Sequence, residues 1–425
     1  MLELNKLRTQ TEAVIAALEK KRVGIARDLV GQVLGIDEAR RRALTEAESL
    51  RSDLNQVSKS IGQLIKEGNQ DAAEQARLRT AQTKERIQQL EKQLADFEAQ
   101  QLQLLTTLPN TPHESVPQGK DAADNDVVFQ NNIKTSFNFP ALPHWELARK
   151  HDIIDWELGV KITGAGFPVY KGQGAALQRA LITFFLDRAT AAGYTEIMPP
   201  LVVNRDSGFG TGQLPDKEGQ MYHVERDELY LIPTAEVPIT NLYRDVILEE
   251  KDLPVRNCGY TPCFRREAGS YGKDVKGLNR LHQFDKVELV QIAHPEHSYQ
   301  ILEEMVAHVE GLLDALELPF RRLLLCGGDM GFTSAKTYDL EVFSAAQERW
   351  LEVSSVSNFE TYQTNRLKLR FRDAQKKTQL AHSLNGSALA LPRIVAALLE
   401  NHQQADGSIR IPAALQPYTR FAQIG

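Results

Sequence analysis

The chain has 425 residues, enough for two or three domains around one large core. A quarter of the residues are charged, 42% are hydrophobic and the net charge is −6, which excludes a protein that coats nucleic acid indiscriminately but leaves room for local basic patches. No apolar run reaches the length of a membrane span, the start MLELNKLRTQTEAV lacks a signal-peptide core, and Cys258, Cys263 and Cys326 make no disulfide framework, so a reducing, cytoplasmic setting is expected.

Residues Leu2 to about Val30 read as a short helix and its connection, with Leu7, Val14, Ile15 and Leu18 placed to pack on the body. From Ile36 the apolar positions step by three and four: Ile36, Ala43, Ala47, Leu50, Leu54, Val57, Ile61 and Leu64, interrupted at Arg40. Gly68-Asn69 breaks the pattern. A second seam follows through Ala73, Ala76, Thr80, Thr83, Ile87, Leu90, Leu94, Phe97 and Leu104. Residues 1–110 therefore read as a helical arm built on an antiparallel coiled-coil hairpin. Thirty helical residues reach roughly 45 Å, so the arm is either a dimerisation rod or a probe for something long. Between Ile36 and Leu104 stand 11 Lys/Arg and 12 Asp/Glu, a balance equally suited to a solvated coiled coil. Arg40, Arg41 and Arg42, with Arg77, Arg79, Lys84 and Arg86, are the local clusters able to meet phosphates.

Three prolines and several turn formers between Leu108 and Asp126 predict a linker on which the arm can tilt, and residues 111–425 form the second domain. His144 and His151 are expected on a helix surface or edge. The glycine-rich run Gly164–Gly172 lacks the G-x-x-x-x-G-K-[ST] phosphate-loop pattern and reads as a strand pair feeding a helix over Ala175–Ala192. Gly193–Pro200 is a helix stop, a strand and a proline pair. Asn204–Gly212 is expected to be an exposed, flexible loop, and His294-Pro-Glu-His297 a surface turn with no third metal ligand.

The chemistry-bearing segments follow. Leu229–Pro238 reads as a buried strand entering a helix, with Thr234 as N-cap and Glu236 in the first turn. Thr261–Val290 reads as a long antiparallel hairpin. Its first strand ends in Arg265, Arg266 and Glu267, with Gly269 beyond. In its second strand Phe284, Lys286 and Glu288 share one face. Positive charge, an aromatic face and carboxylates suit a nucleoside triphosphate and a small zwitterion. Leu351–Phe359 is a Ser-rich strand end carrying Glu352, Val353, Ser354 and Ser355. Ser383-Leu-Asn-Gly-Ser387, with Asn385 inside it, leads to Arg393.

FRREAGSYGKDVKGLNRLHQFDKVE resembles motif 2 of the class II aminoacyl-tRNA synthetases, in the form seen in bacterial-type seryl-tRNA synthetases. The likeness extends over essentially the whole chain, through Thr234-Ala235-Glu236 and Ser383–Ser387. It implies an α+β body, an antiparallel sheet flanked by helices, beside the coiled-coil arm. It implies L-serine held by Thr234, Ala235, Glu236, Glu288, Asn385 and Ser387. It implies ATP held by Arg265, Arg266, Glu267, Leu281, Phe284, Glu352, Val353, Ser354, Ser355 and Arg393, with Mg²⁺ on Glu352 and Ser355. Gly193–Pro200 resembles motif 1, the homodimer interface of that class. The arm would reach the long variable arm of tRNA(Ser), and of tRNA(Sec) where one is present. Ala390-Leu-Pro392-Arg393 departs from the common AVGR. Two other classes stay open: a relative delivering serine to a carrier protein, and a non-catalytic RNA-binding paralogue. The arm argues against the first and the near-complete charged set against the second.

Overall fold

The computed structural model describes residues 1–133, 135–267 and 276–425. Two compact units emerge. One comprises Leu2–Glu19 with Val23–Pro109; the other comprises Met1, Lys20–Arg22 and Asn110–Gly425.

The first unit is helical. Two short helices, α1 (Leu4–Thr9) and α2 (Thr11–Lys20), precede α3 (Ala26–Lys66) and α4 (Gln70–Leu105). The long helices pair through Ala43, Ala47 and Leu90, flanked by Leu50, Leu94 and Phe97. The turn between them is closed by Gly68 at φ +74° and by Asn69, whose side chain accepts the Ala72 N–H at 3.3 Å. The first long helix starts ten residues before Ile36. Gly31 and Gly35 lie inside it, each costing about 1 kcal/mol against Ala but not breaking the run. Leu7, Val14, Ile15 and Leu18 are buried, and they belong to the arm's unit rather than the body's. The seam also holds a charge that apolar periodicity passes over. Asp37 is buried and receives Arg8 at 2.6 and 2.7 Å, Arg41 at 3.2 Å and Gln101 at 3.4 Å. Part of the Arg40–Arg42 cluster is thus committed inside the arm, and Arg42 pairs with Glu38.

The second unit is built on an eight-stranded sheet. In chain order its strands are β1 (Asp126–Gln130), β2 (Thr195–Glu196), β3 (Val255–Phe264), β4 (Gln283–Ala293), β5 (Phe320–Leu324), β6 (Lys336–Ser344), β7 (Arg349–Asn358) and β8 (His382–Ala390). Their spatial order is β1-β5-β6-β7-β8-β4-β3-β2. Every pairing is antiparallel except β2 on β3. Helices cover the sheet: α5 (His144–Lys150), α6 (Trp156–Ile162), α7 (Gly172–Ala191), α8 (Arg205–Thr211), α9 (Glu236–Asn241), α10 (Ser298–Ala315), α11 (Tyr362–Leu367) and α12 (Leu391–Asn401). The main core packs α7, α10 and α12 onto β4, β6, β7 and β8 through Leu181, Phe184, Phe185, Leu302, Val309, Val356, Leu389 and Leu398. The fold is the α+β body and helical arm that the resemblance implied.

Four expectations for this unit are corrected. The linker is fastened to the body from Asn110 onward: its N–H reaches Phe332 O at 2.9 Å and its side chain donates to Phe359 O at 2.8 Å. Residues 205–211 are helix, not loop, capped by Asn204, which accepts the Ser207 N–H at 2.9 Å. The glycines there serve close packing, since a Cβ at Gly210 would lie 2.5 Å from Leu367 Cδ2. His144 is fully buried: its Nδ1 meets Glu400 at 2.7 Å and its Nε2 accepts the Leu278 N–H at 2.9 Å. At the fourth, Glu296 brings a third donor beside His294 and His297, with ligand atoms within 4.8 Å of one another. The site is exposed, and His294 Nδ1 accepts the Glu296 N–H as the cap of a single turn.

Candidate active site

The motif-like hairpin is β3 and β4, in register from Phe264↔Gln283 to Val255↔Ile292. Its connection includes residues 268–275, Gly269 among them, which lie outside the described residues. On the described flanks, the Glu267 carboxylate accepts a hydrogen bond from Arg280 Nη1 at 3.0 Å. Arg265 places its guanidinium over the Phe284 ring, 5.2 Å from the centroid, and donates through Nε to Pro233 O at 3.3 Å. Arg266 is exposed, with its backbone N–H on Gln220 O at 2.9 Å. Leu281 is buried in the main core.

Strand β4 carries the hairpin into the centre of the sheet, where Glu288 is fully buried. Glu288 faces Gly259 on β3 and Ser387 on β8. It is saturated with donors: Asn385 Nδ2 at 2.7 Å, Thr234 Oγ1 at 3.1 Å and Lys286 Nζ at 2.5 Å. The pairing with Lys286 is what lets a carboxylate sit there. Thr234 is not an N-cap. Ala235 holds that position, and the Thr234 hydroxyl accepts the Glu236 N–H at 3.2 Å in a turn one residue earlier. Ala235 is buried against Ile239 and Val290.

Glu236 is buried beside Glu288. Its carboxyl is pushed up to about 7, first by burial and then by the Glu288 charge, while Gln363, Lys286 and Arg265 draw it back down. Its one described hydrogen bond is from Gln363 Nε2, at 2.7 Å on Oε1. The structure therefore brings Thr234, Ala235, Glu236, Glu288, Asn385 and Ser387 around one buried place.

The neighbouring strands supply the other wall. Val353 lies in the core, and Ser354 Oγ donates to Ser387 O at 2.6 Å, locking β7 to β8. A bulge at Val353 shifts the register, pairing Glu341 with Glu352 and Asp339 with Ser355. Without it Glu352 and Ser355, three apart, would face opposite sides; the extra residue returns them to the face of Asp339 and Glu341. Ser355 Oγ donates to Asp339 Oδ1 at 2.6 Å. Burial and the Glu352 charge hold the Asp339 carboxyl well above its ordinary range. Asp339, Glu341, Glu352 and Ser355 set hard oxygen donors on one face, with Glu341 already paired to Arg321 at 2.5 Å, and such a donor set suits a divalent cation. Arg393 sits in the first turn of α12 after Pro392, a position that proline tolerates. It donates through Nε to Asn279 O at 3.1 Å and lies 3.6 Å from Glu352 Oε2.

Sequence reasoning missed Gln363, and it passed over Lys286 and Asp339. Lys286 had a signal, its place between Phe284 and Glu288 on one strand face. Gln363 had none, because it stands 127 residues from Glu236 along the chain.

An antiparallel sheet with paired arginines on one hairpin, a buried acidic pocket and an arginine in the first turn of the helix that follows β8 is the arrangement of a class II aminoacyl-tRNA synthetase core. Residues 222–402 match the family described as tRNA synthetase class II core domain (G, H, P, S and T). Residues 1–112 match the seryl-tRNA synthetase N-terminal domain. The chain is 56% identical to a serine--tRNA ligase of Salinibacter ruber, over 100% of this chain and 99% of that protein. It is 47% identical to one of Desulfitobacterium hafniense, covering 100% of both. The solved seryl-tRNA synthetase of Pyrococcus horikoshii, complexed with ATP, superposes with a TM-score of 0.95 at 34% identity, covering 100% of this chain and 99% of that one. The chain belongs to the seryl-tRNA synthetase family, a family of ATP-dependent aminoacyl-tRNA ligases.

Proposed function

We propose that this chain activates L-serine in two steps at the Glu236–Glu288 pocket. A serine carboxylate oxygen attacks the α-phosphorus of ATP; the bond to the β-phosphate bridging oxygen breaks and pyrophosphate leaves. The 3′-terminal ribose hydroxyl of tRNA(Ser) then attacks the seryl carbonyl, and AMP leaves. Glu236 receives the ammonium. Thr234, Glu288, Asn385 and Ser387 surround the side chain, and an acceptor for the serine hydroxyl discriminates against alanine. Phe284 stacks adenine. Arg265 stabilises charge building on the α-phosphate, with Arg266 and Glu267 beside it and Arg393 on the γ-phosphate. Leu281, Val353 and Ser354 contribute the backbone of the nucleotide site. Glu352 and Ser355 would hold Mg²⁺, which neutralises phosphate charge when bound.

The observation that carries this reading is that Glu288, on the strand pair that carries the Arg265–Phe284 face, is buried beside Glu236 of α9. Residues 1–110 are the tRNA-reading arm and 111–425 the catalytic domain. RNA helices are read by shape and backbone, which fits an arm meeting the long variable arm. tRNA(Sec) would be charged by the same contacts where it exists. A homodimer through the 193–200 segment is supported by Met198, 88% exposed, with Leu201 and Val202 exposed just beyond it. Among the described residues no helix is long and apolar enough to cross a membrane. A cytoplasmic setting is part of the same proposal. The test is ATP–pyrophosphate exchange without tRNA, across all twenty amino acids. Exchange with serine is the expected outcome, and no exchange with any amino acid would overturn the reading. Deleting Ile36–Leu104 should abolish tRNA charging while serine-dependent exchange survives.

A further inference from the structure

We propose that Gln363 is a positioning residue for serine: its side-chain amide fixes the Glu236 carboxylate as the ammonium receptor and joins it to the last turn of α8. The inference rests on the reading of Glu236 given above.

Gln363 is the second residue of α11 and is buried. Its Oε1 accepts the Ser383 hydroxyl at 2.7 Å, which sets the orientation of the amide. Both N–H groups then face acceptors, Glu236 Oε1 at 2.7 Å and Thr211 O at 3.2 Å. Donors and acceptor are all engaged, so the group has one stable orientation. Ser383 and Asn385 are two apart on β8 and share a face. Asn385 donates directly to Glu288, whereas Ser383 acts on Glu236 through Gln363. One strand face therefore sets both carboxylates.

The choice of a neutral donor matters. Lys286 already cancels one of the two acidic charges, and among the described residues Glu236 has no ion-pair partner. A cation in place of Gln363 would orient Glu236 equally well, but it would compete with the substrate ammonium. An amide orients the carboxylate and leaves its charge for the ligand. Helix α8 takes part because α11 grips it twice on one face. Arg366, three residues after Gln363, donates to Phe209 O at 3.2 Å and Leu214 O at 3.1 Å. The packing of Gly210 on Leu367 brings the two helices close enough for Thr211 O to reach the amide.

The experiment is steady-state exchange kinetics of Gln363→Leu, Ser383→Ala and Glu236→Gln, with KM for serine and for ATP measured separately from pH 6 to 9. Gln363→Leu should raise the serine KM roughly 10–100-fold, the worth of a hydrogen bond to a charged group. The KM for ATP should stay within about twofold. The rise should shrink toward pH 9, because the lost donor favours the ionised Glu236 and alkali restores that form. Glu288, Lys286 and Arg265 are the other charged groups facing Glu236, and none of these variants alters them. Ser383→Ala should show the same pattern more weakly. If Glu236→Gln raises the serine KM but Gln363→Leu leaves it unchanged, the proposal fails and the reading of Glu236 stands. If Glu236→Gln leaves it unchanged, that reading fails and takes the proposal with it. Parallel losses for serine and ATP with no pH dependence, in both Gln363→Leu and the milder Ser383→Ala, would show a merely structural role and overturn the proposal.

Discussion

The pocket proposed for the amino acid and the face proposed for the nucleotide meet on β4 but are held in opposite ways. In the pocket, Glu288, Lys286, Thr234, Asn385, Ser383 and Gln363 satisfy one another before any ligand arrives. On the nucleotide face, Arg265 meets a carbonyl and a ring, Arg266 is exposed, and Glu352 repels Asp339. The difference matches the ligands proposed for the two places. Serine is small: a polar group already aimed at its hydroxyl tells it from alanine, and a close wall tells it from threonine. On the proposed reading, ATP would bring the charge that completes the nucleotide face. On that reading, buried pairing would serve selection and half-open charge the transfer.

This contrast can be broken at either end, and the largest effect is expected in the pocket. Glu288→Ala leaves the buried Lys286 ammonium without its partner, and should destabilise the protein by about 3–5 kcal/mol. Urea unfolding measures it, and a loss below about 1 kcal/mol would show that the pair is not buried in solution. Arg265→Ala should spare the fold. It should lower kcat for pyrophosphate exchange by about 10²–10³, as loss of a single transition-state donor does in other enzymes. A change confined to the KM for ATP would instead make Arg265 a ground-state contact.

Much of this was legible in the sequence, for stated reasons. The hairpin was legible because its two strands are consecutive and its charged residues adjacent, and so were the TAE and SLNGS segments. The same logic failed wherever partners are distant. Apolar periodicity finds a seam but not the buried Asp37 inside it, since Arg8 and Gln101 lie elsewhere in the chain. Glycine-rich 204–212 looks like a loop until Leu214 and Leu367 are known to press against it. His144 looks like a surface residue until Glu400 and Leu278 are placed on its two nitrogens. The bulge at Val353 needs the β6 register, which no single strand reveals.

A smaller effect comes from pH. Because burial and the Glu288 charge push the Glu236 carboxyl up to about 7, its ionised form, the one proposed to receive the ammonium, is gained as pH rises through that value. Serine KM should therefore fall about tenfold between pH 6 and pH 8, with kcat little changed, as expected for one deprotonation that must precede binding. Glu236→Gln should flatten this dependence. A flat profile in the wild-type protein would place the titration elsewhere.

The smallest effect on stability, and the most telling for the arm, is expected at Arg86. Its pair with Glu46, 2.7 Å long, crosses between the two arm helices and is largely exposed. Exposed pairs contribute only about 0–1 kcal/mol, so Arg86→Ala should scarcely move the melting temperature. The same weakness makes the guanidinium cheap to transfer from Glu46 to a phosphate. If Arg86 is one of the residues that meets tRNA, its removal should weaken binding and lower the slope of log affinity against log salt by about 1. The paired variant Glu46→Ala separates the two roles. It frees Arg86 without removing it, so tRNA binding should hold or strengthen while the salt slope stays unchanged. A slope unmoved by Arg86→Ala would make the pair a strut of the coiled coil and shift the search to Arg77, Arg79 and Lys84 on the same helix.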